Sequence, residues 1–208
     1  VKEDAQDYVK NFPTYWGNPP ELPPVNGKRI NEDTWMGKRG LVSAYLSTRP
    51  TSLLVFPENE ANRSKAWPSP RSWDHASRVM AACATTEEAI PLVVGCIGEG
   101  EGISFFNWLK SMDLPTPQEV LNNPDAFEVP SRSDKTFAIL SNLVPFVKNN
   151  FEKKFWDAAW KVIGKVCDAK QPDVAAVYAI RLAQGMKPEW GFPPAFIKFR
   201  HLFEGISK

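Results

Sequence analysis

Much of what usually announces a function is missing from this sequence. Its 208 residues hold three cysteines and two histidines. An odd set of cysteines at wide spacing (Cys83, Cys96, Cys167) does not make a disulfide framework and fits a reducing compartment such as the cytoplasm. Each follows apolar neighbours, which suits a small buried hydrophobe. His75 and His201 lie far apart, and neither C-x-x-C nor H-E-x-x-H occurs, so no metal site is expected. The phosphate loop G-x-x-x-x-G-K-[ST] is absent as well. Net charge is +1 without any basic block, which removes the electrostatic footprint of a duplex nucleic-acid binder. The longest apolar run, IPLVVGCI, is far too short to span a membrane, and the polar start VKEDAQDYVK is no signal peptide. A first residue other than methionine is what an excised piece of a longer protein would show.

What is present suits a folded chain. Hydrophobic residues make up 43%, with eight tryptophans and thirteen phenylalanines as bulky core material. That composition excludes wholesale disorder and supports one large domain or two small ones. Residues 1–36 read as an irregular arm or connector. The stretch NFPTYWGNPPELPPVNGK holds five prolines, with Pro-Pro occurring twice, and its aromatics would pin an extended chain against a neighbour.

Beyond the arm the periodicity is helical. Leu41, Val42, Tyr45 and Leu46 share a face that stops before Pro50. TSLLVFP is short and ambiguous, and a polar loop, ENEANRSK, follows it. Ser69 then fits an N-cap and Pro70 the first helical position. Trp73, Ala76, Met80 and Cys83 form the core stripe of that helix, with Arg71, Asp74, His75 and Arg78 on the opposite face. Thr85 and Glu88 fit a capping box. The β-branched run after them suits a strand and its flanks suit a helix; a helix is taken. GCIGEGEG reads as a helix–helix turn, since Glu99 and Glu101 would repel a phosphate. Residues 103–112 bury Phe105, Trp108 and Leu109. Thr116 and Pro117 open a short helix.

Ser131 and Asp134 fit another capping box, ahead of a face of Phe137, Leu140, Val144 and Val147 with Pro145 as a kink. Phe155, Ala159, Val162 and Val166 mark the next helix. Pro172 and Asp173 start another that stops at Gly185. Phe196, Phe199, Phe203 and Ile206 mark a terminal amphipathic helix, whose polar face carries Lys198, Arg200 and His201. No strand pair with a hairpin turn is evident. The expectation is an all-α fold, an irregular helical bundle behind a proline-rich N-terminal arm.

Arg71 is the one residue that breaks a local rule. A helix start carries about +0.5 of an elementary charge and disfavours a cation in its first turn. Two readings remain open. Arg71 is a solvated arginine paired to Asp74, or it is a forked donor for an anion at a helix start whose N–H groups also face outward.

At this motif the sequence resembles a known family. SPRS opening a helix, after a helix ending STRP, resembles the C-terminal lid of MoxR-type AAA+ ATPases. The resemblance continues through VVGCIGEGEGISFFNWL and LPTPQEVLNNP into the closing helices, over most of residues 41–208. It implies lid-like helices at 37–84 and a helical extension at 85–208 packed on them. It implies that Arg71 is the sensor-2 arginine meeting the γ-phosphate of ATP, set by the helix start at Ser69 and Pro70. ATP and Mg²⁺ would be held by a core domain of the same polypeptide, whose Walker motifs are absent here. The family also implies a ring of identical subunits and remodelling of partners that carry a von Willebrand A domain. No turnover is expected of these residues alone. The alternative is a non-catalytic, all-helical protein-interaction module.

Overall fold

The computed structural model describes residues 4–17, 24, 25, 28–184 and 186–202. The chain is all-α, and it divides into two compact units between Asp113 and Leu114. The boundary expected at 84/85 falls inside the first unit.

The first unit holds α1 (Ala5–Asn11), a 3-10 turn (Phe12–Gly17), α2 (Glu32–Thr48), α3 (Pro70–Ala82), α4 (Thr86–Ile97) and α5 (Glu99–Ser111). Within the expected arm, residues 5–17 and 32–36 are helical, and the Pro-rich stretch 18–23 lies outside the described residues. Asp4 caps α1 by accepting from the Gln6 N–H, and Tyr8 and Phe12 are buried while Trp16 is half exposed. Two-residue strands β1 (Pro24–Val25) and β2 (Lys28–Arg29) pair antiparallel. No such pair was expected, although Asn26-Gly27 between them is a strong short-range hairpin signal.

Helix α2 starts well before Leu41. Asn31 caps it, and Glu32 and Asp33 suit the positive end of its dipole. Its first half lacks a readable apolar stripe because the buried positions there include Gly37, Arg39 and Gly40 beside Trp35, whereas Glu32 is exposed and Asp33, Thr34, Met36 and Lys38 are half-buried. Arg39 lies over the rings of Phe12 and Trp35, at 4.5 and 4.8 Å from their centroids.

Helices α3, α4 and α5 pack in succession. Tyr45, Trp73, Phe105 and Trp108 meet ring to ring at their centre, with centroids 5.2–5.9 Å apart. The glycine-rich stretch is a helix–helix turn, as read from the sequence. Gly98 sits at φ +85°, and a Cβ there would lie 2.7 Å from the Ala66 carbonyl oxygen. In α5 the burial expected of Leu109 belongs to Phe106, and Leu109 is half-buried. The cysteines are all free and half-buried rather than fully inside.

The second unit holds α6 (Pro117–Asn122), α7 (Ser133–Asn149), α8 (Lys153–Asp168), α9 (Pro172–Ala183) and 3-10 segments Pro188–Trp190 and Pro194–Leu202. Thr116 and Glu119 cap α6 reciprocally. Leu140, Val144 and Val147 of α7 meet Trp156, Trp160 and Ile163 of α8 and Tyr178 and Leu182 of α9 in one core. The Ser131–Asp134 capping box does not form. Arg132 occupies the cap position, and the Asp134 carboxylate is taken by its guanidinium at 2.6 Å. The last segment is 3-10 rather than α-helical. At three residues per turn Phe196 and Phe199 stack on one edge, both against Trp160. Gly185, Phe203, Ile206 and the side chain of His201 lie outside the described residues.

Candidate functional site at the start of helix α3

Helix α3 begins on a tightly held turn. Ser69 is extended, at φ −153° and ψ 163°, and its Oγ accepts from the Ser72 N–H at 3.2 Å. Ser72 Oγ accepts in return from the Ser69 N–H at 2.7 Å and donates to the Trp67 carbonyl at 2.9 Å. A short serine thus completes the box that usually needs a glutamate. Pro70 fills the first helical position, where a missing N–H goes unnoticed.

Three other elements brace this turn. The Tyr8 hydroxyl of α1 donates to the Pro70 carbonyl at 3.0 Å. The Val55 N–H donates to the Pro68 carbonyl at 3.1 Å. Trp73, fully buried, donates its indole N–H to the Ser52 carbonyl at 2.9 Å. Each bond joins segments distant in sequence, so the helix mouth is fixed by the whole unit.

Arg71 sits in that mouth, exposed to solvent. Among the described residues it makes no ion pair or hydrogen bond. Its expected partner, Asp74, is paired to Arg78 at 2.9 Å, and the Arg78 guanidinium also lies over the Trp35 ring. His75 is exposed. The polar row expected on α3 therefore exists: Asp74 and Arg78 pair with each other, and Arg71 and His75 are unengaged among the described residues.

The helix start itself offers less to an anion than the sequence implied. Pro70 has no N–H, the Ser72 N–H is held by Ser69 Oγ, and the Trp73 N–H is held by the Ser69 carbonyl. The Arg71 main-chain N–H and guanidinium are left. Such a pair can complete a phosphate site that another surface supplies, and it cannot enclose one.

Sequence reasoning missed the surroundings. Leu54, Val55 and Phe56 are about half exposed one after another, and the Val55 N–H bond to the Pro68 carbonyl sets them beside the segment that leads into α3. Phe56 meets Trp67 edge to face at 5.4 Å, and Arg63 covers its other side. The signal was an unbroken apolar run, Leu53 to Phe56, between Pro50 and Pro57, too short to carry a period.

Burial alters the acidity of four groups in this unit, raising the pKa values of Tyr45, Cys83 and Cys96 and lowering that of Lys38. The Tyr45 hydroxyl donates to Glu101, and burial first and that bond second push its pKa far above the ordinary phenol value. Lys38 lies close to Cys83, and burial pulls its ammonium below the ordinary lysine value. No cluster of histidine, cysteine or carboxylate suited to a metal occurs among the described residues. No helix among them is long and apolar enough to cross a membrane.

The chain matches no family model, no curated protein and no solved structure.

Proposed function

We propose that this chain is the lid region of a MoxR-type AAA+ ATPase, with Arg71 as its sensor of nucleotide. The reading rests on one observation: Arg71 is exposed and unpaired at the mouth of a braced, thirteen-residue helix. A core domain of the same polypeptide would hold ATP and Mg²⁺ and present the γ-phosphate to that mouth. Arg71 then donates to the γ-oxygens, where charge develops as the bond to the leaving phosphate breaks. The cap at Ser69 and Pro70 and the indole bond of Trp73 keep the guanidinium in place, so little reorganisation accompanies the contact. Once the phosphate leaves, the lid loses a charge-assisted contact and turns as a rigid body, the step that would remodel a partner in a ring of subunits.

The test compares ATP hydrolysis by the polypeptide carrying both core and lid with that of its Arg71→Ala variant. Hydrolysis falls by about 10²–10³-fold while the urea midpoint stays unchanged. Hydrolysis retained in the variant overturns the proposal.

A second reading, a non-catalytic helical interaction module in the cytoplasm, is favoured by the exposed Leu54–Phe56 ridge. There Arg71→Ala is neutral, and Phe56→Ser or changes at Lys198 and Arg200 abolish partner capture in a pull-down.

A further inference from the structure

The second unit carries a cleft of its own, with a volume of about 810 Å³. That is within the range of sites that enclose a small ligand or a short peptide, roughly 300–1,000 Å³. One wall is the outer face of α8, with Lys153, Lys154, Lys161 and Lys165. The segment 190–198 supplies Trp190, Phe192, Pro193, Pro194 and a fifth lysine, Lys198. That segment lies close on α8 because residue 164 is glycine: a Cβ there would stand 3.0 Å from Ala195 Cβ. Its five lysines face Asp157 and Asp168, which pair with Lys153 and Lys198, and Glu152 and Asp125, which pair with Lys154 and Lys161, so one positive charge is left in excess.

The lysines are of two kinds. Lys161 is paired to Asp125 at 2.8 Å, with both side chains more than half exposed, and Lys153 and Lys154 make similar surface pairs. Such pairs are worth about 0–1 kcal/mol, so an incoming carboxylate can replace the resident one. Lys165 differs. Its ammonium donates to the carbonyls of Pro124 at 3.3 Å and of Asp125 and Phe127, both at 2.7 Å, and makes no salt bridge among the described residues, although the Asp125 carboxylate feels its charge. Its three N–H groups are held by carbonyls, so it attracts a carboxylate by charge rather than by a further bond. Opposite in character, Phe192 is 65% exposed beside it.

We propose that this cleft binds an extended acidic peptide of a partner protein. Lys161 and Lys165 are one helical turn apart, about 6 Å along α8. Alternate side chains of an extended strand stand about 6.6 Å apart on one side. Carboxylates at alternate positions therefore meet the two lysines in register, and the apolar side chains between them turn to the rim made by Trp190, Phe192 and Pro193. A nucleic-acid strand fits less well. Asp157 and Asp168 interrupt the basic row that a phosphate chain would need, Trp160 is buried beyond reach of a base, and the Phe192 ring lies tilted against Phe196 at 4.6 Å. This proposal is independent of the nucleotide reading, since it uses no residue of the first unit.

Fluorescence anisotropy on the 208-residue chain tests it. The probes are a labelled eight-residue peptide alternating glutamate with leucine, its lysine-for-glutamate counterpart, and an eight-nucleotide oligothymidylate. The acidic peptide binds, more weakly as salt rises, and the lysine peptide does not. Lys154→Glu with Lys161→Glu lowers affinity for the acidic peptide about tenfold and raises it for the lysine peptide. Phe192→Ser lowers it several-fold; all three positions are exposed, and an unchanged far-UV circular dichroism spectrum checks the fold. Failure of the acidic peptide to bind, equal binding of both peptides, tighter binding of the oligonucleotide, or indifference to the charge reversal each overturns the proposal.

Discussion

The two units hold themselves together differently. Before Asp113, helices α1 to α4 each begin on a side chain that accepts from the helix's own first turn: Asp4, Asn31, Ser69 and Thr85. After it only α6 does, through Thr116; α7, α8 and α9 start without a side-chain cap. Two tryptophans of the first unit are anchored as well: Trp35 donates to Ser77 Oγ at 3.0 Å and Trp73 to the Ser52 carbonyl, whereas the buried indoles of Trp108 in that unit and of Trp156 and Trp160 in the second have no acceptor among the described residues. The start of α3 is held by directional bonds, whereas the core around Trp156 and Trp160 is held by buried apolar area, which fixes no single direction.

The largest effect that sharpens this contrast comes from matched tryptophan changes. Trp73→Phe loses indole volume and strands the Ser52 carbonyl, and lowers unfolding free energy by about 2–4 kcal/mol. Trp156→Phe loses similar volume but no bond, and costs about 1–2 kcal/mol. Equal losses in urea titrations would erase the distinction. Next comes Gly98→Ala, at a positive φ with the Ala66 carbonyl where the methyl must go; it costs at least about 2 kcal/mol. Ser69→Ala costs about 1 kcal/mol, whereas Ser131→Ala stays within about 0.5 kcal/mol because Ser131 caps nothing. A loss at Ser131 as large as at Ser69 would restore the box that the sequence suggested.

The smallest effect is one of pH. Burial holds the Lys38 pKa below its ordinary value, so the unfolded chain binds more protons than the folded one between those two values. Lys38 therefore contributes stability that rises with pH through that window, whereas Cys83, Cys96 and Tyr45, whose pKa values burial raises, contribute stability that falls with pH. Lys38→Met removes the Lys38 contribution and stabilises the protein at neutral pH. Thermal midpoints of protein and variant between pH 7 and 11 check this, and a difference between them that stays constant across that range refutes the assignment.

Helix starts were legible where a side chain both marks and makes them. Ser69-Pro70, Thr85 and Thr116-Pro117 each state in the sequence what the backbone does. Thr85 shows the limit: its hydroxyl accepts from the Glu88 N–H as expected, but the Glu88 carboxylate reaches the Ala84 N–H instead of closing the box on Thr85. Ser131 has the same spelling and fails, because an arginine next to it competes for Asp134 with a charged, two-pronged bond. The start of α2 was missed for the opposite reason, since Gly37, Arg39 and Gly40 are buried there without the apolar side chains that mark a core face. Of the candidate site, Arg71 and its cap could be read from the sequence. That Asp74 is taken by Arg78, and that the cap consumes the neighbouring N–H groups, could not.

Local chemistry in the chain determined the helical content, most capping turns and the placement of Arg71 in the first turn of α3, because these depend on neighbours three or four residues away. Folding in three dimensions decided that Arg71 stays unpaired, that Tyr8, Ser52 and Val55 brace its turn, and that the lysines of α8 share a cleft with Phe192. Those outcomes depend on which distant segments reach a given atom first, and a hydrogen bond or ion pair, once taken, is closed to every other candidate.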